Sequence, residues 1–133
     1  MDTKERTVKN PDLHRSDDFT SAYANHAFFE PSAWDLKIIF GELDQSVEPL
    51  VVQQHSSITL PWPQAKVFLY FLRLQVAAHE MANGKINLPP AVIPPEIEKP
   101  TEEQLKQEPK AMQAYEAFKK IRKEMFLNTE LAL

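Results

Sequence analysis

The chain has 133 residues, of which 43% are hydrophobic and 26% are charged, proportions typical of one globular domain with tails. Its net charge of −4 argues against the broad binding of nucleic acids or anionic membranes, which usually requires a basic surface. It contains no cysteine, which excludes disulfide bonds and thiolate chemistry.

Residues 1–21 mix acidic and basic side chains with few apolar ones, so we expect a flexible N-terminal arm. The first residues are charged and no apolar segment follows them, which predicts that there is no signal peptide. The longest apolar run, at residues 67–72, is too short to span a membrane. We therefore expect a cytoplasmic protein.

Three segments that alternate between apolar and polar residues predict β-strands at residues 23–30, 34–43 and 50–60. The second segment has the clearest alternation, and the side chains that share one face are Trp34, Leu36, Ile38 and Phe40. In the third segment the alternation places on one face Leu50, Val52, Ile58 and Leu60. The polar residues 42–49 predict a hairpin loop. The three segments therefore predict an antiparallel three-stranded meander.

One long helix is predicted at residues 63–83. Pro63 suits the first helical position, where no backbone donor is needed, and Gly84 suits the left-handed position after the last turn. Lys66, Arg73 and Glu80 form a charged stripe, while apolar residues occupy most of the remaining circumference. A helix that is apolar nearly all round is buried on several sides, but three strands cover one side only.

The second side of this helix therefore needs a partner, and we expect a homo-oligomer that is either a dimer or a tetramer. The residues expected at the oligomer interface are Val67, Leu69, Tyr70, Leu74 and Val76. The predicted fold class is α+β. The strand-strand-strand-helix core is expected at residues 22–87.

Prolines concentrate in residues 88–100, which predicts an extended, stiff connector. A helical segment is expected over residues 101–133, because Thr101 and Gln104 have the spacing of a capping box. Pro109 interrupts this segment, and a second helix is expected from about residue 109 to 127. Its apolar stripe, which we expect to dock, consists of Ala114, Phe118, Ile121 and Met125. Docking within the chain, exchange between subunits and binding of a partner are the alternatives.

Several short motifs in a fixed order resemble the bacterial and archaeal family known as domain of unknown function 3467. They are Tyr-Ala-Asn-His-Ala-Phe at residues 23–28, Pro-Ser-Ala-Trp at 31–34, Ile-Thr-Leu-Pro at 58–61, Ala-Lys at 65–66 and Gly-Lys-Ile at 84–86. The resemblance covers residues 22–86 and implies a strand-strand-strand-helix unit without an assigned activity. A meander followed by a long helix is also similar in topology to the SecB export chaperone, an analogy that carries no function by itself.

The candidates for chemistry are few. His79-Glu80 begins like a zinc-protease motif, but Asn83 stands where the second histidine is required. Side chains alternate along a strand, so we expect His55 to be unable to activate Ser56, although it could face Ser57. We therefore expect no enzyme activity, no metal site and no cofactor.

The sequence favours a non-enzymatic, oligomeric protein-binding or scaffold module, which could act in a chaperone-like way. The candidate partner-binding residues are Phe28, Trp34, Trp62, Phe118, Ile121 and Met125. The alternative is an accessory protein that binds nucleic acid through the basic face of its last helix, with phosphate contacts from Lys119, Lys120 and Lys123.

Overall fold

The computed structural model describes residues 10–127. In chain order its elements are β1 (His26–Pro31), β2 (Asp35–Asp44), β3 (Val51–Pro61), α1 (Trp62–Asn83), α2 (Glu102–Gln107) and α3 (Ala111–Arg122), which continues into a π-helical turn (Lys123–Leu127). The predicted α+β class is confirmed, with an antiparallel three-stranded meander followed by a long helix and a C-terminal helix. Residues 1–9 of the predicted arm and residues 128–133 of the predicted C-terminal segment lie outside the described residues.

The chain divides between Leu69 and Tyr70 into two compact units. The first unit holds the sheet and the start of α1. The second holds the rest of α1, the proline-rich connector and the C-terminal helices. No helix in the described part of the chain is long and apolar enough to cross a membrane.

The sheet has the strand order β1-β2-β3, with both neighbours antiparallel to the central strand β2. Its register places Ile38 opposite Phe29 on one side and opposite Ile58 on the other. Ile38 is only 5% exposed and is the one buried apolar side chain among residues 10–126. The clearest alternation of apolar and polar residues therefore belongs to β2, which contains the buried residue. In the described sheet β2 is the strand with a neighbour on both edges.

A β-bulge separates the two halves of the β2–β3 ladder. Phe40 pairs with Ser56 and Gly41 pairs with Gln54, which leaves His55 as the extra residue. Beyond the bulge Val52 pairs with Leu43, whereas before it Ile58 pairs with Ile38. Ile38 and Leu43 are an odd number of residues apart on β2, so their side chains point to opposite faces. The prediction that the apolar residues of β3 share one face is therefore wrong, because the bulge shifts the alternation.

The β1–β2 turn is organised around Ser32. Its hydroxyl oxygen accepts hydrogen bonds from the backbone N–H groups of Trp34 (3.1 Å) and Asp35 (3.0 Å), and its backbone N–H donates to the Asp35 carbonyl (2.9 Å). Trp34 thus lies in the turn, one residue before β2, and is 84% exposed. The predicted placement of Trp34 in the strand is wrong by this one residue, because the turn holds its backbone.

The two ends of α1 follow the local signals in the sequence. The helix begins at Trp62, one residue before the predicted start, and the Trp62 indole Nε1–H donates to the Ser32 carbonyl at 2.9 Å. It ends at Asn83, as predicted. Gly84 has a φ of 83°, and its N–H donates to the Glu80 carbonyl at 2.9 Å. The positive φ explains why glycine stands at this position.

In the second unit, the predicted capping box is confirmed. The Thr101 side chain accepts from the Gln104 N–H (3.2 Å), and the Gln104 side chain accepts from the Thr101 N–H (2.9 Å). The predicted interruption at Pro109 is also confirmed, since it lies between the end of α2 and the start of α3. The connector, residues 88–100, contains no strand, so it is not a fourth strand of the sheet.

Candidate functional site

Helix α1 carries the largest exposed apolar surface that a single element of the described chain presents. None of its 22 residues is buried. The predicted interface residues are all exposed to a similar degree: Val67 45%, Leu69 56%, Tyr70 58%, Leu74 45% and Val76 41%. In the single chain these side chains therefore present nearly half or more of their surface to water.

The helical repeat sorts most of the apolar residues of α1 into two stripes on roughly opposite sides, since each residue advances about 100°. Stripe 1 consists of Val67, Tyr70, Phe71, Leu74, Ala77, Ala78 and Met81. Stripe 2 consists of Ala65, Leu69, Leu72 and Val76. The charged residues Lys66, Arg73 and Glu80 separate the stripes on one side. On the other side the separating residues are Gln64, Phe68, Gln75, His79 and Ala82.

The aromatic candidates of the first unit do not form one cluster. Trp34 and Trp62 lie at the same end of the sheet, because they flank the Asp35–Pro61 pair of the β2–β3 ladder. Trp62 is anchored by its indole hydrogen bond, whereas Trp34 projects from the turn. Phe28 lies further along β1, opposite Ile39, and is 50% exposed. The tip of the β1–β2 turn and the β1 edge are thus separate candidate surfaces.

The predicted docking stripe of the C-terminal helix is exposed except for Ala114. Phe118 is 54%, Ile121 53% and Met125 60% exposed. The half-buried side chains lie instead on a rotated face that includes Met112, Tyr115, Arg122 and Phe126. The connector contacts this rotated face. Docking of the predicted stripe within the chain, its exchange between subunits and its binding of a partner all stay predictions.

Arg122 holds the connector to this rotated face. Its Nη2 and Nε donate to the Pro94 carbonyl at 2.9 and 3.3 Å. A small cavity of about 100 Å³ lies beside this contact and is lined by Glu96, Ile97, Tyr115, Lys119 and Arg122. Of the three predicted phosphate contacts, only Lys119 reaches this cavity, and its Nζ also lies 5.7 Å from the centroid of the Tyr115 ring. Lys120 and Lys123 are exposed outside the lining.

The bulge brings together residues that the sequence analysis had separated. The Nδ1 atom of His55 lies 2.9 Å from the Ser56 hydroxyl, and its Nε2 lies 2.8 Å from the Tyr23 carbonyl. A carbonyl only accepts, so Nε2 carries the proton and the Ser56 hydroxyl donates to Nδ1 in the neutral ring. The prediction that His55 cannot reach Ser56 is wrong, because the extra residue interrupts the alternation between strand faces.

Asn25 fixes the segment that leads into β1 against β2. Its backbone N–H donates to the Gly41 carbonyl at 3.1 Å, and its side-chain oxygen accepts from the Leu43 N–H at 2.7 Å. With the His55 contact to Tyr23, this arrangement fastens the Tyr-Ala-Asn segment beside the bulge. This segment is part of the family motif at residues 23–28, and no role was predicted for it. The signal was the asparagine just before a strand, where its amide can substitute for a strand neighbour.

Among residues 10–127, no group of three or more histidine, aspartate or glutamate side chains is placed to hold a metal ion. His26 has a buried Nδ1 atom without a hydrogen-bond partner. It lies on β1 opposite Gly41, next to the fastened segment. The side chains of Asn25 and His55 thus form hydrogen bonds with backbone groups and do not converge on a cavity.

A family model described as a protein of unknown function (DUF3467) matches residues 2–88. The matched region contains all three strands and the whole of α1, and it ends where the connector begins. No curated protein and no solved structure matches the chain.

Proposed function

This chain belongs to the DUF3467 family of proteins of unknown function, and we propose that it is a non-enzymatic protein that associates with itself and binds another protein. The observation that carries the proposal is α1, a helix of 22 residues without a buried residue and with apolar stripes on two sides. Monomeric proteins rarely expose contiguous apolar patches larger than a few hundred Å². Association with a second surface removes the apolar side chains of α1 from water.

The energetic scale supports association. Complete burial of a large apolar side chain stabilises by about 1.5–3 kcal/mol, so covering the exposed half of one contributes about half of that. Stripe 1 alone contains large apolar or aromatic residues that are 45–58% exposed, namely Val67, Tyr70, Phe71 and Leu74, and a contact between two copies covers both sets. Their combined contribution is of the order that offsets the entropy lost when two chains associate.

Light scattering across a dilution series tests self-association. We expect a dimer or tetramer at micromolar concentration. Leu74→Glu should weaken the assembly, because a charge would be buried without a partner. Gln75→Glu is the matched control, since it adds the same charge to the same helix between the two stripes. A monomer mass at every concentration would contradict the proposal.

The surface for a second protein is proposed at the edge of β1. Within the described part of the chain this strand has a neighbour only on its β2 side, and an unpaired edge offers backbone groups to an extended peptide. The exposed side chains of Phe28 and Phe29 alternate along this edge and would provide apolar contacts. A chaperone-like role would use the same edge, and a cytoplasmic location remains part of this proposal.

Hydrogen exchange with and without an apolar peptide of alternating valine and threonine tests the edge. We expect added protection over His26–Pro31. The nucleic-acid alternative makes a different prediction, because it requires binding of a short DNA duplex that weakens steeply with salt. Salt-sensitive DNA binding that is lost in Lys120→Glu, without added protection of β1, would replace the protein-binding proposal.

A further inference from the structure

We infer that α1 pairs with α1 of a second copy in the antiparallel direction, and that stripe 1 forms this contact while stripe 2 does not. The inference rests on the proposed self-association and adds to it the direction, the face and the register of the pair. It commits to a second copy as the occupant of stripe 1.

The first argument is the spacing of stripe 1. Leu74 lies at its centre, and every other member has an apolar counterpart at the same distance on the other side of Leu74. The counterparts are Val67 with Met81, Tyr70 with Ala78, and Phe71 with Ala77. A two-fold axis through Leu74 would therefore place an apolar residue opposite an apolar residue in every layer. Such a self-complementary arrangement is what a two-fold interface between identical chains requires.

The second argument is side-chain size. In the antiparallel register the aromatic rings of Tyr70 and Phe71, which are 58% and 56% exposed, face the alanines at 78 and 77. Large residues opposite small ones let two helices interdigitate at the density of a protein interior. In a parallel pair the same rings would face their own copies, and the alanines would face alanines. The antiparallel direction thus fills the space between the helices more evenly.

The third argument is charge. Lys66 directly precedes Val67 and Glu80 directly precedes Met81, so both lie on the same flank of stripe 1. An antiparallel pair brings Lys66 of one copy beside Glu80 of the other, at both ends of the interface. In a parallel two-fold pair this flank of each helix faces the opposite flank of the other, so the charged residues of the two copies do not meet. Arg73 lies midway on the flank and approaches its own copy in the antiparallel pair, a repulsion that the two Lys66–Glu80 pairs outnumber.

The hydrogen bond that Glu80 already makes is compatible with this contact. One carboxylate oxygen, Oε2, accepts from the Ile86 N–H at 3.0 Å. A carboxylate has capacity for several donors, so it can accept from a lysine as well. The bond to Ile86 also fixes the carboxylate at the end of the helix, where it faces the lysine of the second copy.

Stripe 2 offers a smaller contact without matched charges. It has only four residues, with the aromatic ring of Phe68 at its border, and its own midpoint lies between Tyr70 and Phe71. Around that midpoint the residue of the same flank that Lys66 of one copy approaches is Arg73 of the other, so no cation meets an anion across the pair. Further along the helix the stripe ends at the polar side chain of Asn83. Since stripe 1 buries more apolar surface and adds two ion pairs, stripe 2 is left on the outer side of the helix pair.

Engineered thiols test the register directly, because the chain has no cysteine of its own. Val67→Cys and Met81→Cys are made as separate variants, and both sites are exposed in the single chain, at 45% and 88%. The two variants are mixed and treated with a short thiol cross-linker. We expect the mixture to give cross-linked dimers in an amount several-fold above that from either variant alone. Ala65→Cys mixed with Val76→Cys is the matched control, the counterpart pair of stripe 2, and should cross-link much less.

Light scattering on the same samples separates the two proposals. Cross-linking within each single variant would overturn the antiparallel direction, and preferential cross-linking of the control pair would overturn the choice of stripe 1. Both results would leave self-association intact. An oligomer with no cross-link in any mixture would also overturn the inference, whereas a monomer mass throughout would defeat the proposed function itself.

A charge exchange provides an independent readout. Lys66→Glu should raise the dimer dissociation constant by about fivefold, the scale of two exposed ion pairs replaced by repulsion. The double variant Lys66→Glu with Glu80→Lys should restore the original value, since the pair is only reversed. If the single variant leaves the dissociation constant unchanged, or the double variant fails to restore it, the antiparallel contact is refuted.

Discussion

Gly41 lies so close to the backbone of Gln53 that any side chain at this position would clash with it. A Cβ atom built on Gly41 would lie 2.6 Å from the Gln53 carbonyl oxygen and 2.9 Å from the Val52 Cγ1 atom. The residue sits in the central strand where the bulge shifts the register of β3. The sharper local twist that accompanies a bulge accounts for the close approach.

We predict that Gly41→Ala lowers the free energy of unfolding by about 1–3 kcal/mol, the usual cost of forcing extra atoms into a packed site. Thermal and urea unfolding measure the loss. Val52→Ala is the companion variant, because it removes the Val52 Cγ1 contact but leaves the Gln53 carbonyl in place. The double variant should therefore recover little stability. Full recovery would show that the side chain, and not the backbone, limits the space at Gly41.

How far the sequence predicts this fold depends on whether the signal is local. The ends of α1 follow from Pro63 and Gly84, and the capping box follows from Thr101 and Gln104, because each signal acts within a few residues. The bulge is different. The middle of β3, residues 53–57, is entirely polar, so the apolar residues on either side give no sign of the extra residue and the faces of the strand could not be assigned from them. The glycine in β2 was the only residue that marked the position.

Some of the candidate surfaces could be predicted from the sequence and others could not. The apolar circumference of α1 is visible in the sequence, and so was the expectation that it needs a partner. The contact of Arg122 with the connector was not predictable, because its acceptor is a main-chain carbonyl that any residue would supply. For the same reason the rotated packing face of α3 could not be distinguished from the apolar stripe that the sequence favoured.

The stability of the fold should depend on the side-chain oxygen of Asn25, which accepts a hydrogen bond from the Leu43 N–H. We predict that Asn25→Ala destabilises by about 1 kcal/mol, because it leaves the Leu43 N–H without its hydrogen-bond acceptor. Asn25→Asp retains an oxygen at the same place and should cost less. Unfolding experiments give the energies, and amide exchange of Leu43 gives the local effect. Equal losses in the two variants, with unchanged exchange at Leu43, would show that the hydrogen bond does not matter.

We expect the stability of the hairpin between β2 and β3 to depend on pH through Asp44. The Ser46 hydroxyl, and then its backbone N–H, donate to the Asp44 carboxylate and hold the pKa of Asp44 below the ordinary 3.8. Because the pKa is lowered in the folded state, the stabilisation is present above the ordinary value and is lost as the pH falls through the lowered one. NMR titration of the Asp44 carboxyl carbon measures this pKa.

Ser46→Ala removes the larger of these two contributions and should raise the pKa of Asp44 towards 3.8. Asp18 is an internal control in the same spectra, since the Ser16 hydroxyl, with a backbone contribution after it, lowers its pKa independently. Its titration should not change in the variant. An Asp44 pKa that is unaffected by Ser46→Ala would rule out the hydroxyl as the cause.

The last prediction concerns the attachment of the connector to the C-terminal helix. Two nitrogens of Arg122 donate to the single carbonyl of Pro94, and the cavity beside them is lined by Ile97 and Tyr115. Arg122→Ala should release residues 94–97 and lower stability by about 1 kcal/mol, the typical net contribution of a hydrogen bond. Arg122→Lys keeps the charge but offers a point donor instead of a planar fork, so an intermediate effect is expected.

Backbone ¹⁵N relaxation of Glu96 and Ile97 reports the release directly, because both residues border the cavity. Their heteronuclear NOE values should fall in Arg122→Ala and fall less in Arg122→Lys. Lys120→Ala is the matched control, since Lys120 is exposed on the same helix and does not line the cavity. If Arg122→Ala leaves the relaxation of both residues unchanged, the contact with Pro94 does not hold the connector, and the apolar contacts of Ile97 must do so.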